Sequence, residues 1–182
     1  GFSVILYEAE RIGFGASGRN GGQLIPGLRW TASELADEFG NERAGALFDL
    51  CWRDNRVKAR IAKHGIARDV KPGHREAGWP PADFAAMRRE ADYLGQRHGY
   101  ETDVVEKADM GVHIASPLYN GGVYDPQGGH FHPLNYALGL AKAAEAAGVR
   151  IVEGRRASID SLKARYIIDA TDSWIDEVQP DL

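Results

Sequence analysis

The feature that most constrains the fold is a short apolar run that ends in an acid and leads into a glycine-rich loop. Residues 3–8 read SVILYE, and residues 13–23 read GFGASGRNGGQ. A continuous apolar run of this length is typical of a strand buried in a parallel sheet. We therefore predict a buried strand over residues 3–7 that ends at Glu8.

On the residues alone, two interpretations remain open for Glu8 and two for the glycine-rich loop. An acid at the end of a buried parallel strand is the ribose-binding residue of dinucleotide folds, but a solvated strand-end acid has the same pattern. Backbone N–H groups of a glycine-rich turn can bind an anion, whereas many glycine-rich segments are flexible linkers. Because Phe14, Arg19, Asn20 and Gln23 interrupt the glycines, the residues favour a loop that contacts a ligand.

Helical patterns account for much of the remaining chain. Apolar residues at three- and four-residue spacing predict helices over about residues 31–63, 82–98 and 134–147. Thr31 or Ser33 is expected to cap the first helix. Gly40 and Asn41 are expected to divide that helix, and Gly65 to end it.

Short apolar or β-branched runs between these helices predict strands. We expect strands near Val70 and over residues 121–125, 149–152 and 166–170, with a turn over residues 126–129. The order of helices and strands predicts a mixed α/β protein with at least part of a parallel sheet.

Composition excludes several classes of partner. The formal net charge of −4 over 182 residues suggests neither a nucleic-acid groove nor an anionic membrane surface. No run of 18 apolar residues is present, so we predict no transmembrane helix. Cys51 is the single cysteine, which excludes an internal disulfide and a thiolate metal cluster. It predicts a reducing, cytoplasmic location, and its apolar helical neighbours indicate a small buried side chain.

Three segments together resemble the FAD-dependent oxidoreductases of the D-amino-acid-oxidase superfamily, in particular the gamma-glutamylputrescine-oxidase-like branch. They are YEAERIGFGASGRNGGQLIPGL at residues 7–28, GGVYDPQGGHFHPLNYALGLAKAAEAAGVRIVEG at residues 121–154, and ARYIIDATDSWIDEVQP at residues 164–180. The resemblance implies a partial Rossmann-like FAD-binding domain over residues 1–30 and 134–182. Residues 31–133 are then a helical, substrate-side region.

The resemblance also implies a set of FAD contacts. Glu8 is expected to bind the adenosine ribose, and the strand over residues 149–152 to lie on the adenine side. The remaining expected contacts, along the pyrophosphate, the ribityl chain and the flavin ring, are Arg11, Ala16, Ser17, Arg19, Asn20, Gly21, Gly22, Gln23, Ala170 and Thr171.

For the activity, the resemblance implies oxidation of a C–N bond in a small amine or amino acid, with hydride transfer to flavin N5 and reoxidation by O₂. By family position the candidate substrate-side residues are Tyr124, His130 and His132. His130 and His132 flank Phe131 in an extended stretch, so we expect both on one side of it. No further ligands converge on these histidines, so we predict no metal site. No GxSxG elbow indicates a serine nucleophile either.

Departures from the family pattern leave two alternatives open. No GxGxxG motif precedes Glu8, and only residues 157–163 connect the segment at residues 151–156 to the segment at residues 164–168, where the family has a longer β-meander. We therefore expect further residues ahead of Gly1 and beyond Leu182 in the parent protein. The first alternative is a non-catalytic fragment or binding module that does not retain flavin. The second is an NAD-using Rossmann enzyme, which assigns no role to GRNGGQ.

Overall fold

The computed structural model describes residues 1–53, 56–66 and 70–175. Along these ranges the helices and strands run in the order β1 (Ile5–Tyr7), α1 (Ala16–Arg19), β2 (Gln23–Leu24), α2 (Ala32–Phe48), α3 (Arg56–His64), β3 (Lys71–Gly78), α4 (Pro81–His98), β4 (Asp103–Glu106), β5 (Gly121–His130), α5 (Pro133–Ala146) and β6 (Arg150–Val152). A π-helical turn follows α2 at Asp49–Arg53. None of the described helices is long and apolar enough to cross a bilayer.

The chain forms two compact units. The first comprises Gly1–Asn20 with Leu134–Leu182, and the second comprises Gly21–Pro133. In the first unit β1 and β6 pair in parallel, with Leu6 opposite Ile151. Parallel strands in a chain that also carries long helices confirm the predicted mixed α/β class.

The second unit is built on an antiparallel sheet in which β5 is central. β3 pairs along one edge of β5, and β4 and β2 pair with it along the other edge. The register shifts between Pro72 and His74 on β3, where β5 carries the sequence PQGG. This segment was predicted to be a turn, but β5 continues through it as an irregular strand.

The hydrophobic core of the second unit lies between α2 and the end of α4. Ala32, Phe48, Leu94 and Tyr100 are buried together. The Phe48 ring stacks on the His98 ring at 3.8 Å between centroids. Burial of these side chains fixes α2 and α4 against each other, since apolar area removed from water stabilises at about 25 cal/mol per Å².

The predicted helix boundaries are largely confirmed. Thr31 caps α2 through a capping box with Glu34, as the Ser/Thr-x-x-Glu pattern indicates. Gly40 interrupts the helical backbone with φ 78° and ψ 160°. Gly65 follows α3 with φ 60°, and Pro81 begins α4.

The first predicted strand forms but is not buried, and the last predicted strand does not form. Residues 3–7 were predicted to be buried, but Ile5 is 48% exposed and Leu6 is 39% exposed, because among the described residues β1 pairs only with β6. Residues 166–170 form no strand, and Ile168 is 87% exposed. Residues 166–170 are strand-like in composition, but a strand also requires a neighbouring strand for its backbone hydrogen bonds.

Other differences are smaller. β3 spans eight residues where only a short strand near Val70 was predicted, and residues 67–69 lie outside the described ranges. Cys51 is half-buried in the π-helical turn rather than fully buried. Residues 176–180 of the third family-like segment also lie outside the described part of the chain.

Candidate cofactor and substrate site

Glu8 lies at the carboxyl end of β1, as predicted. Its backbone is held by two hydrogen bonds, because Glu8 N donates to Val152 O at 2.9 Å and Arg155 N donates to Glu8 O at 3.0 Å. Its Oε1 accepts a hydrogen bond from Glu10 N at 2.9 Å. A carboxylate has about four acceptor positions, so Glu8 keeps capacity for hydroxyl donors at the sheet edge where ligands bind in α/β folds.

The first half of the glycine-rich loop orders itself. The Arg19 guanidinium lies 4.5 Å from the centroid of the Phe14 ring. The Asn20 side-chain amide donates to Ala16 O at 2.9 Å and to Ser17 O at 3.3 Å. These contacts stabilise the single turn of α1 and its junction with Phe14.

Glycines in this half of the loop are required by packing within the first unit. A Cβ atom on Gly18 would overlap the backbone oxygen of Gly13, and one on Gly15 would lie 2.9 Å from the Trp174 ring. Real Cβ atoms rarely approach other atoms so closely, so larger residues do not fit. The segment is therefore packed against its own chain and is not a free linker.

Gly21, Gly22 and Gln23 belong to the second unit. Phe131 N donates to Gly22 O at 2.9 Å, and Gln23 begins β2 opposite His130. The three residues therefore run alongside the end of β5.

Ala170 and Thr171 follow the apolar segment that forms no strand. Thr171 donates to Asp169 Oδ1 from its backbone N at 3.0 Å and from Oγ1 at 2.6 Å. Asp169 Oδ2 is buried and has no hydrogen-bond partner among the described residues. Buried acceptors are normally paired, so Asp169 is a candidate ligand-binding residue that sequence reasoning missed.

Tyr124 and His130 both lie on β5, whereas His132 lies beyond its end and directly before α5. The Arg75 guanidinium lies 4.5 Å from the centroid of the Tyr124 ring. The Tyr124 hydroxyl occupies the space that a Cβ atom of Gly73 would need. Tyr124 is thus held in one orientation, and His130 is exposed at the strand end.

A buried hydrogen bond fixes the part of β5 between these candidates. Tyr100 is 3% exposed, and its hydroxyl donates to Asp125 Oδ2 at 2.9 Å. Asp125 Oδ1 accepts from Gln127 N at 2.8 Å. Burial raises the pKa of Tyr100 above its usual value, and the hydrogen bond and charge of Asp125 raise it further.

Other features of the described residues do not coincide with the predicted site. No group of His, Cys, Asp and Glu side chains there could hold a metal ion. An open cavity of about 430 Å³ is lined by Lys107, Met110, Ile114, Pro117 and Tyr119, among others. None of the predicted site residues lines it.

Comparison with known proteins places these features in a family. The family model described as FAD dependent oxidoreductase matches residues 1–182. The chain is 36% identical over 158 residues to the probable oxidoreductase OrdL of Haemophilus influenzae, covering 84% of this chain and 36% of that protein. It is 29% identical over 197 residues to gamma-glutamylputrescine oxidoreductase of Escherichia coli K12, covering 100% of this chain and 46% of that protein.

A solved structure shows the same fold. Glycine oxidase from Bacillus cereus aligns with a TM-score of 0.60 and 20% identity, covering 85% of this chain and 40% of that one. The chain thus spans less than half the length of these relatives. Since the family model matches the whole sequence, the chain belongs to the DAO family of FAD-dependent oxidoreductases.

Proposed function

We propose that the protein uses FAD to oxidise a C–N bond in a small amine or amino acid. The observation that carries this proposal is Glu8 at the carboxyl end of a parallel strand, in a chain that matches the family along its whole length. The names of two relatives, a gamma-glutamylputrescine oxidoreductase and a glycine oxidase, support a nitrogen-bearing substrate.

The acceptor groups of the first unit fit the chemistry of FAD. The adenosine ribose and the ribityl chain present hydroxyl donors. Among residues 1–53, 56–66 and 70–175, Glu8 Oε1 has one donor, Glu10 N, and Asp169 Oδ2 has none, so both carboxylates can accept further hydrogen bonds. We assign the ribose to Glu8 and a cofactor hydroxyl to Asp169, with Ala170 and Thr171 beside it. Residues 1–30 and 134–182 then form the cofactor side, and residues 31–133 the substrate side.

The glycine-rich loop is assigned to the cofactor through its backbone. The Arg19 and Asn20 side chains order α1, and both are also assigned to the flavin ring, since a guanidinium that lies over an aromatic ring keeps its N–H donors. Arg11, Ala16 and Ser17 are assigned to the pyrophosphate and ribityl part. Gly21, Gly22 and Gln23 are assigned to the flavin ring, which backbone N–H groups can approach and tune electronically.

When bound, FAD would supply a hydride acceptor for oxidation of the C–N bond, with water completing the conversion to a carbonyl compound and ammonia and O₂ serving as the final electron acceptor to give peroxide. The side chains of this chain bind and orient the substrate. Tyr124, fixed by Arg75 and Gly73, offers a hydroxyl to the substrate. His130 and His132 offer imidazole nitrogens that can hold the proton of the substrate ammonium.

Cofactor binding is tested by titrating FAD with the chain and following quenching of flavin fluorescence. Glu8→Gln is expected to weaken binding by about tenfold, because hydrogen bonds to a charged acceptor contribute about 1.5–3 kcal/mol. Glu145→Gln, an exposed residue of α5, is the matched control. Equal affinity of both variants would refute the assignment of Glu8.

The activity is tested on a flavin-loaded preparation with glycine and gamma-glutamylputrescine as substrates, following O₂ uptake and peroxide. Ammonia release in step with peroxide supports C–N oxidation. A protein that holds no flavin under any loading condition is instead the non-catalytic binding module.

A further inference from the structure

A bulge in the central strand of the second unit's sheet lies between two candidate substrate residues. On β5, Tyr124 lies opposite Arg75 of β3, and His130 lies opposite Lys71. The two positions are six residues apart on β5 (124 to 130) but four apart on β3 (71 to 75). At about 3.3 Å per residue, the backbone at Tyr124 and at His130 is separated by roughly 13 Å instead of the roughly 20 Å of a regular strand.

Lys58 of α3 contacts this bulge through its ammonium group. Its Nζ donates to Gln127 O and to Gly128 O, the second at 3.0 Å. Among the described strands, β4 pairs with β5 at residues 121–124 and β2 pairs with it at residues 129–130, so neither pairs with the residues between. Gly128 is buried, and a buried carbonyl that a bulge removes from the ladder needs another donor. Lys58 supplies that donor.

The bulge is held from a second direction by Asp125. Asp125 Oδ1 accepts from Gln127 N at 2.8 Å, and Asp125 Oδ2 accepts from the buried Tyr100 hydroxyl at 2.9 Å. Asp125 thus binds an N–H group of the bulge, whereas Lys58 binds its carbonyl groups. Lys58 is half-buried, and hydrogen bonds from a charged donor are stronger than neutral ones, so the carbonyl side depends on this one ammonium.

We propose that Lys58 is a positioning residue, which holds the bulge of β5 and so sets the separation of Tyr124 and His130. The inference rests on the proposed function, in which both side chains contact the substrate, and it deepens that function. Lys58 acts through the backbone of β5 and touches neither substrate nor cofactor. Methionine has a similar length but no N–H donor and no charge, so Lys58→Met removes the hydrogen bonds and keeps most of the side-chain volume.

Release of the bulge is tested first without the reaction. Amide hydrogen exchange of the 182-residue chain is followed by mass spectrometry on peptides that cover residues 121–130. Lys58→Met is expected to speed exchange in these peptides about tenfold, because loss of charge-assisted hydrogen bonds makes local opening more frequent. Lys58→Arg, which retains the charge and several donors, is expected to restore most of the protection.

The matched control is Lys63→Met, which removes the same charge from an exposed position of the same helix. It is expected to leave exchange of residues 121–130 unchanged. Equal exchange in Lys58→Met and Lys63→Met overturns the proposal. Circular dichroism verifies that each variant is folded, and Lys58→Gln, which retains N–H donors without the charge, replaces Lys58→Met if methionine prevents folding.

A second measurement tests the positioning role and separates it from the proposed function. In flavin-loaded protein, Lys58→Met is expected to raise KM for the accepted substrate about tenfold, with a smaller change in kcat, and to leave FAD affinity within about twofold of the wild type. An equal loss of FAD affinity, or an unchanged KM in protein that turns over, refutes the positioning role and keeps the function. A protein that never holds flavin refutes the function, and the exchange measurement still decides whether Lys58 holds the bulge.

Discussion

At the scale of single residues, two adjacent glycines of the loop have different reasons to be glycine. A Cβ atom on Gly22 would overlap Phe131 O, and its φ is 69°. A Cβ atom on Gly21 would meet only the side chain of Gln23, which can move. The fold therefore requires glycine at position 22, whereas packing does not require it at position 21, where the backbone is available for contact with a ligand.

Substitution by alanine separates these two roles. Gly22→Ala is expected to lower the free energy of unfolding by more than about 1 kcal/mol, because both the clash and the positive φ are unfavourable. Gly21→Ala is expected to stay within about 0.5 kcal/mol of the wild type but to weaken FAD binding. Urea unfolding and FAD titration of both variants provide the measurements. A stable Gly22→Ala protein would contradict the packing argument.

Tyr100 gives a pH-dependent prediction. Its folded-state pKa is raised by burial and by Asp125, so the folded protein keeps the hydroxyl proton that the unfolded chain releases above about pH 10. The folded state then binds more protons than the unfolded state, and stability falls as pH rises through this range. The stabilising contribution is fully present below the unfolded pKa.

Tyr100→Phe is expected to remove that alkaline loss. It is also expected to cost about 1–3 kcal/mol near neutral pH, since Asp125 Oδ2 loses its donor. Urea unfolding of the wild type and the variant at about pH 8 and about pH 10.5 tests both effects. Tyr166→Phe, at an exposed tyrosine, is the control. The same alkaline slope in the wild type and Tyr100→Phe would contradict the role of Tyr100.

At the scale of elements, the start of α2 combines a local cap with a tertiary one. Thr31 and Glu34 form the capping box. Glu90 of α4 accepts from Ala32 N at 2.7 Å and from Ser33 Oγ at 2.5 Å. An acid at a helix N-terminus is also favoured by the helix dipole, so Glu90 ties α4 to α2 at the edge of the core.

Replacing Glu90 tests this tertiary cap. Glu90→Ala is expected to lower the free energy of unfolding by about 1–3 kcal/mol, because partly buried donors lose a charged acceptor. Glu38→Ala, at an exposed position of α2, is expected to change it by less than about 0.5 kcal/mol. Urea unfolding of the two variants decides the matter, and indistinguishable losses would argue against a specific cap.

The elements also show which signals a single sequence carries. The Thr31 cap, the Gly40 break and the Pro81 start depend on local chemistry, so the sequence predicts them. β3 has no apolar alternation, since its residues read KPGHREAG, and its strand conformation depends on backbone pairing with β5. Residues 166–170 present the opposite case, because their apolar pattern predicts a strand but no described strand pairs with them.

The same distinction applies to the candidate site. Glu8 is predictable because an acid at a strand end is a local signal. Asp169 is not, because its candidacy depends on a buried oxygen that has no partner among the described residues. That property is not visible in the order of residues, since it depends on how the chain packs around the side chain.

At the scale of the whole molecule, apolar surface is concentrated in the first unit. Ile5 and Leu6 on β1 are 48% and 39% exposed, and Tyr166 and Ile168 in the last apolar segment are 63% and 87% exposed. Among the described residues, β1 pairs with a neighbouring strand along one edge only, and that strand is β6. Open strand edges with exposed apolar residues promote association between chains.

We therefore expect this 182-residue chain to self-associate as its concentration rises. Ile168→Lys is expected to reduce association, because it places a charge on the exposed apolar segment. Val112→Lys, at an equally exposed position of the second unit with 85% exposure, is expected to have little effect. Sedimentation velocity over a series of protein concentrations measures both. A wild-type chain that stays monomeric throughout, or equal effects of the two lysines, would show that the apolar surface of the first unit does not drive association.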